Sequence, residues 1–120
     1  MPKKVLIVDD SLYMRTVIKD ALSNAGFDIV GQAANGEAAI DMAIELQPDL
    51  ITLDNILPDM LGLDILNVLK EEEIDSKVIM ISAVGQESVV EEGLKRGASQ
   101  YIVKPFTSEQ LVDTVKKVLA

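Results

Sequence analysis

The sequence predicts an α/β fold built on a parallel sheet of five strands, and two observations lead to this class. Short apolar runs alternate along the chain with segments whose apolar residues recur at helical spacing, which is the pattern of βαβ units. Polar side chains follow directly after several apolar runs, at the strand ends where a parallel sheet binds its ligands. A chain of 120 residues with 48% hydrophobic composition accommodates one domain.

The first strand and helix are defined by their apolar residues. Residues 5–8 form an uninterrupted apolar run, which predicts a strand buried on both faces. Residues 12–25 are predicted to form a helix whose apolar face comprises Met14, Ile18, Ala21, Leu22 and Ala25. Gly26 follows this helix in the position that a C-terminal capping glycine occupies.

The strand–helix unit then repeats through the middle of the chain. A short strand is predicted at residues 27–30, and a helix at residues 36–46 ends before Pro48. The buried stripe predicted for this second helix consists of Ile40, Ala43 and Ile44. The third strand is the apolar run at residues 50–53, and Asp54 follows it directly.

The second half of the chain continues the alternation. A loop leads to a helix at residues 63–71, and a strand at residues 78–81 runs into Ser82. The fourth helix, residues 87–96, has a thin apolar stripe of Val89, Val90 and Leu94, and Gly97 ends it. Gly93 inside this helix costs about 1 kcal/mol relative to alanine. A strand at residues 101–103 and a helix at residues 108–119 complete five repeats.

Composition excludes several classes of function. The chain has 11 basic and 20 acidic residues, a formal net charge of −9, which argues against nonspecific binding to nucleic acid or anionic membrane. Cysteine is absent, which excludes disulfides and thiolate metal sites and fits a reducing cytoplasm. No apolar run approaches the roughly 20 residues of a membrane span, and the apolar residues after MPKK are too few for a signal peptide. We expect a cytoplasmic protein.

Three aspartates indicate a metal site. Asp9 and Asp10 follow the first strand and Asp54 follows the third, so all three are expected at one edge of the sheet. One of the pair, or Ser11, could instead cap the first helix. Three clustered carboxylates would raise one another's pKa unless a cation or a proton lies between them. Hard oxygen ligands of this kind favour Mg²⁺.

Two further polar residues complete the predicted site. Ser82 ends the fourth strand, where it is either a turn or capping residue or a donor to a phosphoryl oxygen. Lys104 follows the fifth strand, and its ammonium would balance the carboxylates and hold a developing phosphoryl charge. Pro105 after it admits a cis peptide bond, which would turn the chain sharply and direct the lysine.

Three residues are assigned to geometry or packing. Gly62 is expected to supply a turn conformation that other residues avoid, and Pro58 stiffens the same loop. Tyr101 is either ordinary strand packing or a half-exposed ring whose hydroxyl seeks a partner and which moves between two rotamers.

At this point the chain resembles the receiver domain of two-component response regulators, over its whole length. The matching residues are Asp9, Asp10, Asp54, Ser82, Pro58, Gly62 and the triplet Lys104-Pro105-Phe106. The resemblance implies a flavodoxin-like (βα)5 fold with strand order 2-1-3-4-5 and helices on both faces; chemotaxis regulators of this family are themselves a standard example of that order. It also implies a single receiver domain over residues 1–120 without an output domain, similar to stand-alone chemotaxis regulators of the CheY type.

The resemblance implies the chemistry of the site residues. Asp54 would accept a phosphoryl group from the phosphohistidine of a histidine kinase. Asp9, Asp10 and Asp54, with the backbone carbonyl of Ile56, would bind Mg²⁺. Such a domain is not an enzyme, since it assists only its own phosphorylation and dephosphorylation.

It also implies a switch and a set of partners. Ser82 and Tyr101 would form the switch pair, Lys104 would hold the phosphoryl group, and the face of the fourth helix, fifth strand and fifth helix would be remodelled for a partner. The partners are a CheA-like kinase, a flagellar or archaellar motor switch or an adaptor protein, and a phosphatase, with the chain itself a monomer. Three glutamates of the fourth helix form either a solvated face or a contact for a basic adaptor: Glu87, Glu91 and Glu92.

Three other functions make different demands on the same residues. A phosphorelay intermediate that passes its phosphoryl group to a histidine phosphotransfer protein shares every site residue. A phosphohydrolase of the haloacid dehalogenase type needs a second aspartate where Ile56 stands. A flavin-binding module needs a hydroxyl- and glycine-rich loop after the first strand, where this chain is acidic.

The chain departs from the family pattern at two positions of one loop. Asn55 follows Asp54 where an apolar residue is usual, and Leu61 precedes Gly62 where Asn or Asp is usual. In addition, Ile56 and Val84 are expected to flank the phosphoryl group with apolar side chains. Our hypothesis is that they offer attacking water no hydrogen bond, so that the phosphorylated form persists.

Overall fold

The structure, a computed structural model that describes residues 2–120, has the predicted α/β architecture. Its elements are β1 (Lys4–Val8), α1 (Leu12–Asn24), β2 (Asp28–Ala33), α2 (Gly36–Leu46), β3 (Leu50–Leu53), α3 (Gly62–Glu71), β4 (Lys77–Ser82), α4 (Glu87–Lys95), β5 (Gln100–Val103) and α5 (Ser108–Leu119). The strands form one sheet in the order β2-β1-β3-β4-β5, and each neighbouring pair is parallel. The flavodoxin-like order is thereby confirmed.

The sheet is covered by helices on both faces, because alternate strand residues point to opposite sides. One set of buried side chains packs against α1 and α5 and includes Val5, Ile7, Leu50, Ile79 and Ile81. The other set lies under α2 and α3 and includes Leu6, Val8, Ile51, Leu53, Val78 and Met80. Both faces of β1, β3 and β4 are therefore buried, which explains why these strands are mainly apolar, with Thr52 the buried polar exception within β3.

The helix ends follow local sequence signals. Ser11, Asn35 and Thr107 cap α1, α2 and α5, each accepting from the backbone N–H three residues on at 3.2, 2.8 and 3.0 Å. Gly26 and Gly97, which follow α1 and α4, have φ of +93° and +114°, as expected for glycines at helix C-termini. The longest helix is α1 with 13 residues, and within residues 2–120 none has both the length and the apolar character that crossing a membrane requires.

Strand β2 is longer than predicted and lies later in the chain. The prediction placed it at residues 27–30, whereas it runs from Asp28 to Ala33. Its register against β1 shifts by one residue, since Val5 pairs with Ile29 and Leu6 with Gly31. Glycine and alanine have weak strand propensity, so this part of the strand is fixed by its ladder to β1 and not by local preference.

The apolar stripe predicted for α2 is partly wrong. Ala43 is buried and Ile40 is partly buried, but Ile44 is 44% exposed and Ala39 is buried instead. The helix is rotated toward its small residues because alanines allow it to lie close to the sheet.

The apolar stripe predicted for α4 is confirmed only in part, because its two valines are partly buried but its leucine is not. Its stripe is only partly buried, with Leu94 44% exposed, and its one buried residue is Gly93. A Cβ atom at Gly93 would lie 3.0 Å from Met80 Sδ and 3.4 Å from the Tyr101 ring. The glycine therefore allows α4 to approach the sheet closely, while few apolar side chains hold the helix in place.

The difference between buried and exposed isoleucines gives a stability prediction. Ile79→Ala removes a fully buried side chain from the centre of the sheet and should lower the free energy of unfolding by about 2–5 kcal/mol. Ile44→Ala, the same change at a residue 44% exposed, should alter it by less than about 0.5 kcal/mol. Urea denaturation of both variants measures this, and equal losses would contradict the described position of α2.

Candidate functional site

The polar residues predicted from the sequence meet at the carboxyl edge of the sheet. Asp9 follows β1, Asp54 follows β3, Ser82 is the last residue of β4 and Lys104 follows β5. The register places Val8 opposite Leu53, so the chains leave β1 and β3 side by side. Strand β1 lies between β2 and β3, and this is the point at which strand order reverses and ligands bind in such sheets.

The three aspartates form one cluster. One carboxylate oxygen from each of Asp9, Asp10 and Asp54 lies within 4.8 Å of the other two. Asp9 and Asp54 are buried, at 1% and 7% exposure, whereas Asp10 is exposed. Capping does not explain the pair, because Ser11 caps α1 and Asp9 Oδ1 accepts from the Ser11 N–H at 2.9 Å. The cluster is open to solvent on the side of Asp10.

Lys104 supplies the positive charge of the site. Its Nζ donates to Asp9 Oδ2 at 2.7 Å and lies 3.4 Å from Asp54 Oδ2. Burial by itself would lower the pKa of Lys104, but the hydrogen bond to Asp9 and the charges of Asp54 and Asp9 outweigh burial and raise it. The ammonium stays charged, and the Lys104–Pro105 peptide bond that follows is cis.

Asp54 is under opposing influences. Burial raises its pKa most, the charge of Lys104 lowers it, and the charge of Asp9 raises it again, so that the pKa lies above its ordinary value. One ammonium faces three carboxylates, which leaves the cluster with a formal charge of −2 when all are ionised. A hard divalent cation neutralises that excess, and the all-oxygen donor set fits Mg²⁺.

Ser82 and Tyr101 contact the same residue of the loop after β4. Ser82 Oγ is fully buried and accepts from the Val84 N–H at 3.2 Å, while the Tyr101 hydroxyl donates to the Val84 carbonyl. Burial raises the pKa of Tyr101, which keeps its hydroxyl protonated. The Tyr101 ring is partly buried against the core and its hydroxyl has a partner, while movement of the ring between two rotamers stays a prediction.

The loop between β3 and α3 is closed by backbone and side-chain bonds that the sequence analysis did not identify. Ile56 and Leu61 form an antiparallel bridge, and both side chains are exposed, at 51% and 43%. Asn55 accepts from the N–H groups of Gly62 and Leu63 at the start of α3. One sequence feature could have revealed these bonds. Leu61, at the N-cap of α3, has no polar side chain, so the cap had to come from another residue.

Gly62 is required for a different reason from the one predicted. It does not have the positive φ of a turn glycine, since the glycines with positive φ are Gly26 and Gly97. Gly62 is the first residue of α3, and a Cβ atom there would lie 2.5 Å from the Asp54 carbonyl oxygen and 2.9 Å from Asn55 Cα. Glycine is required at this position because two backbone segments approach each other closely. Pro58 lies on the same loop and is exposed.

Asp59 fastens the other side of this loop to α2. Its carboxylate accepts from the N–H groups of Gly36 at 2.7 Å and Glu37 at 3.0 Å. These two bonds lower the pKa of Asp59, and the helix N-terminus favours the negative charge. Because Gly36 has no side chain, Met60 can lie against it. The loop that carries Asp54 is thus attached to both α2 and α3.

Comparison with known proteins identifies the relatives of this chain. Residues 5–116 match the family model described as response regulator receiver domain. The chain is similar to chemotaxis protein CheY of Thermotoga maritima, with 41% identity over 98% of both chains. It is 36% identical to CheY of Halobacterium salinarum over 99% of this chain and 98% of that one.

A similar solved structure contains a metal ion. It is the complex of CheX and CheY with BeF3 and Mg²⁺ from Borrelia burgdorferi, which matches with a TM-score of 0.96 and 35% identity over 100% of this chain and 91% of that chain. The ion in that complex is the one that the carboxylate cluster of this chain fits.

The bonds of Asp59 give a pH-dependent prediction. Asp59→Ala should destabilise the protein near neutral pH by removing two acceptors from the start of α2. The folded pKa lies below the ordinary value of 3.8, so the stabilisation is complete above that value and is lost as pH falls through the folded pKa. Urea unfolding at a series of pH values should show the two proteins converging in acid. A difference independent of pH would contradict the ionised cap.

Proposed function

Because this chain belongs to the response regulator receiver domain family and is of the CheY type, we propose that Asp54 accepts a phosphoryl group from the phosphohistidine of a histidine kinase. The observation that carries the proposal is the convergence of Asp54 with Asp9, Asp10 and Lys104. Asp54 is a buried carboxylate of this group, 3.4 Å from the Lys104 ammonium, and the open side of the cluster gives a donor access to it.

The proposed transfer needs few protein groups. An Asp54 carboxylate oxygen attacks phosphorus, the bond between phosphorus and the histidine nitrogen breaks, and the nitrogen keeps the electron pair. Bound Mg²⁺ would offset the charge of the phosphoryl oxygens. We assign Asp9, Asp10, Asp54 and the Ile56 backbone carbonyl to hold it. The domain assists this transfer and the later hydrolysis but has no substrate of its own.

Lys104 and Ser82 are assigned to the phosphoryl oxygens. Lys104 lies 2.7 Å from Asp9 and 3.4 Å from Asp54, so a short movement of its ammonium brings it onto a group attached to Asp54. The Ser82 hydroxyl lies at the end of the neighbouring strand and can donate while it accepts from Val84.

The proposed switch follows from these bonds. A phosphoryl group adds charge and acceptor oxygens, which draw Ser82 toward them and pull on Val84. Tyr101 bonds the same residue, so the position of its ring changes with that loop. Helix α4, held by the buried Gly93 and few other buried groups, then moves, and the face of α4, β5 and α5 presents a new surface to a partner.

The relatives indicate the process in which the switch acts. Proteins named chemotaxis protein CheY match over nearly their whole length in Thermotoga maritima and Halobacterium salinarum. We therefore propose a cytoplasmic chemotaxis regulator that acts as a monomer, with a CheA-like kinase as donor and a motor switch or adaptor as target. A phosphatase that opposes the kinase completes the cycle. A phosphorelay role would use the same residues and differ in its partner.

Phosphorylation of Asp54 can be tested directly. Incubation with acetyl phosphate and Mg²⁺ should add the mass of one phosphoryl group to the intact protein. A small acyl phosphate can reach Asp54 through the open side of the cluster and can donate its phosphoryl group without a kinase. Asp54→Asn should show no addition, and omission of Mg²⁺ should abolish it in the native chain. Addition of the same mass to the Asn variant would show that the acceptor is another residue.

The apolar residues beside the site give a prediction about lifetime. Ile56 is 51% exposed two residues after Asp54, and Val84 lies beside Ser82. Ile56→Asn and Val84→Glu introduce groups that can orient an attacking water, so each should speed loss of the phosphoryl group severalfold. Intact mass against time after removal of acetyl phosphate measures the rate. Leu94→Asn, the same kind of change on exposed α4, should leave it unchanged, and an unaltered or slower rate in the first two variants would count against the hypothesis.

A further inference from the structure

The residue that precedes helix α3 cannot cap it with its side chain. Its N-cap position is Leu61, whose side chain makes no capping bond, although the first N–H groups of any helix lack partners within the helix. The Leu61 carbonyl accepts from Asp64 at 3.0 Å and from Ile65 at 3.2 Å. The N–H groups of Gly62 and Leu63 need acceptors from elsewhere.

Asn55 supplies both of these acceptors. Its backbone carbonyl accepts from the Gly62 N–H at 2.7 Å, and its side-chain Oδ1 accepts from the Leu63 N–H at 3.1 Å. Asn55 is 4% exposed, so the bonds are shielded from water and a lost acceptor leaves a donor that solvent compensates poorly. A capping function that usually resides at the N-cap is carried out by a residue six positions earlier.

The capping residue is covalently joined to the site. Asn55 lies between Asp54, whose carboxylate is the proposed acceptor, and Ile56, whose carbonyl is a proposed Mg²⁺ ligand. Gly62 packs directly on the backbone of Asp54 and Asn55. A Cβ atom at Gly62 would be 2.5 Å from the backbone carbonyl oxygen of Asp54. The Ile56 N–H also lies 3.4 Å from Asp54 Oδ1. Fixing Asn55 against α3 therefore fixes the peptide groups on both sides of it.

We propose that Asn55 is a positioning residue that holds Asp54 and the Ile56 carbonyl in place by capping α3 from within the loop. The inference rests on the proposed function, because the groups that it positions are the phosphoacceptor and the metal ligands. Its effect passes through the backbone, and Asn55 itself contacts neither the phosphoryl group nor the ion.

The chemistry of the position favours asparagine over its alternatives. An aspartate would accept the same bonds but would add a fourth carboxylate beside three that already repel one another. An apolar residue would leave the Leu63 N–H without its acceptor. Asparagine provides the oxygen without the charge, and Leu61 is then free to remain apolar and 43% exposed at the rim of the site.

The inference is tested by moving the cap. Asn55→Leu removes the acceptor and keeps the same branched shape of the side chain, Leu61→Asn places a neutral acceptor at the N-cap, and the double variant has both changes. We expect Asn55→Leu to speed hydrogen exchange of the Leu63 amide, weaken Mg²⁺ binding about tenfold and slow phosphorylation by acetyl phosphate. Adding Leu61→Asn should restore protection of the Leu63 amide, because the start of α3 is capped again, but Mg²⁺ binding and phosphorylation should stay impaired, because the side chain of residue 55 is still not bonded to α3.

A matched control separates positioning from general loss of stability. Asn35→Leu makes the same change at the N-cap of α2, where Asn35 Oδ1 accepts from Ala38 at 2.8 Å. It should lower the melting temperature but leave Mg²⁺ affinity within about twofold of the native value. Equal weakening by Asn35→Leu and Asn55→Leu would overturn the inference, as would an unchanged Mg²⁺ affinity in Asn55→Leu.

The remaining outcomes are also decisive. If Asn55→Leu does not fold, the double variant still tests the inference, since its α3 is capped but it should bind Mg²⁺ about tenfold more weakly than the native chain. Native Mg²⁺ affinity in the double variant would show that only the capping of α3 matters and would overturn the positioning role of Asn55. Failure of the native protein to take up a phosphoryl group would overturn the proposed function alone, because Mg²⁺ titration and amide exchange still report on the cap.

Discussion

The structure depends on the confinement of three carboxylates from two loops beside a single ammonium. Lys104 lies between Asp9 and Asp54 and offsets one negative charge, and the negative charge that remains favours a cation at this edge of the sheet. Burial raises the pKa of Asp54 and increases the energetic value of any positive charge placed near it. A parallel sheet makes this arrangement possible, because it brings strand ends that are distant in sequence to one edge.

The two sides of this site differ in stiffness. On one side the loop after Asp54 is attached to α3 through Asn55 and to α2 through Asp59. On the other side the loop after β4 is held by two bonds to Val84, and α4 buries only a glycine. When the charge at Asp54 changes, we therefore expect the loop after Asp54 to move little and the loop after β4, together with α4, to move more. Under the proposed function, this asymmetry directs the response toward α4, β5 and α5.

Much of the fold was predictable because the strongest signals are local. Strands β1, β3 and β4 are mainly apolar, since both sheet faces are covered, and the bounds of α2 follow from its periodicity and from Pro48. The predictions are wrong where contacts with neighbouring strands or with the sheet determine the structure. Strand β2 extends through Gly31 because β1 pairs with it, and Ile44 and Leu94 are exposed because small residues set how closely α2 and α4 approach the sheet.

By itself the sequence determined which residues stand at the strand ends, and from these the carboxylate cluster, its lysine and the family resemblance followed. Only the tertiary structure decided what holds them in place. The acceptor for Leu63 comes from Asn55, the acceptors for Gly36 and Glu37 come from Asp59, and Gly62 is needed to leave room for the Asp54 carbonyl. These contacts join residues whose spacing has no periodicity, so no pattern reports them. They arise because packing must satisfy every buried N–H group and exclude every overlap at once.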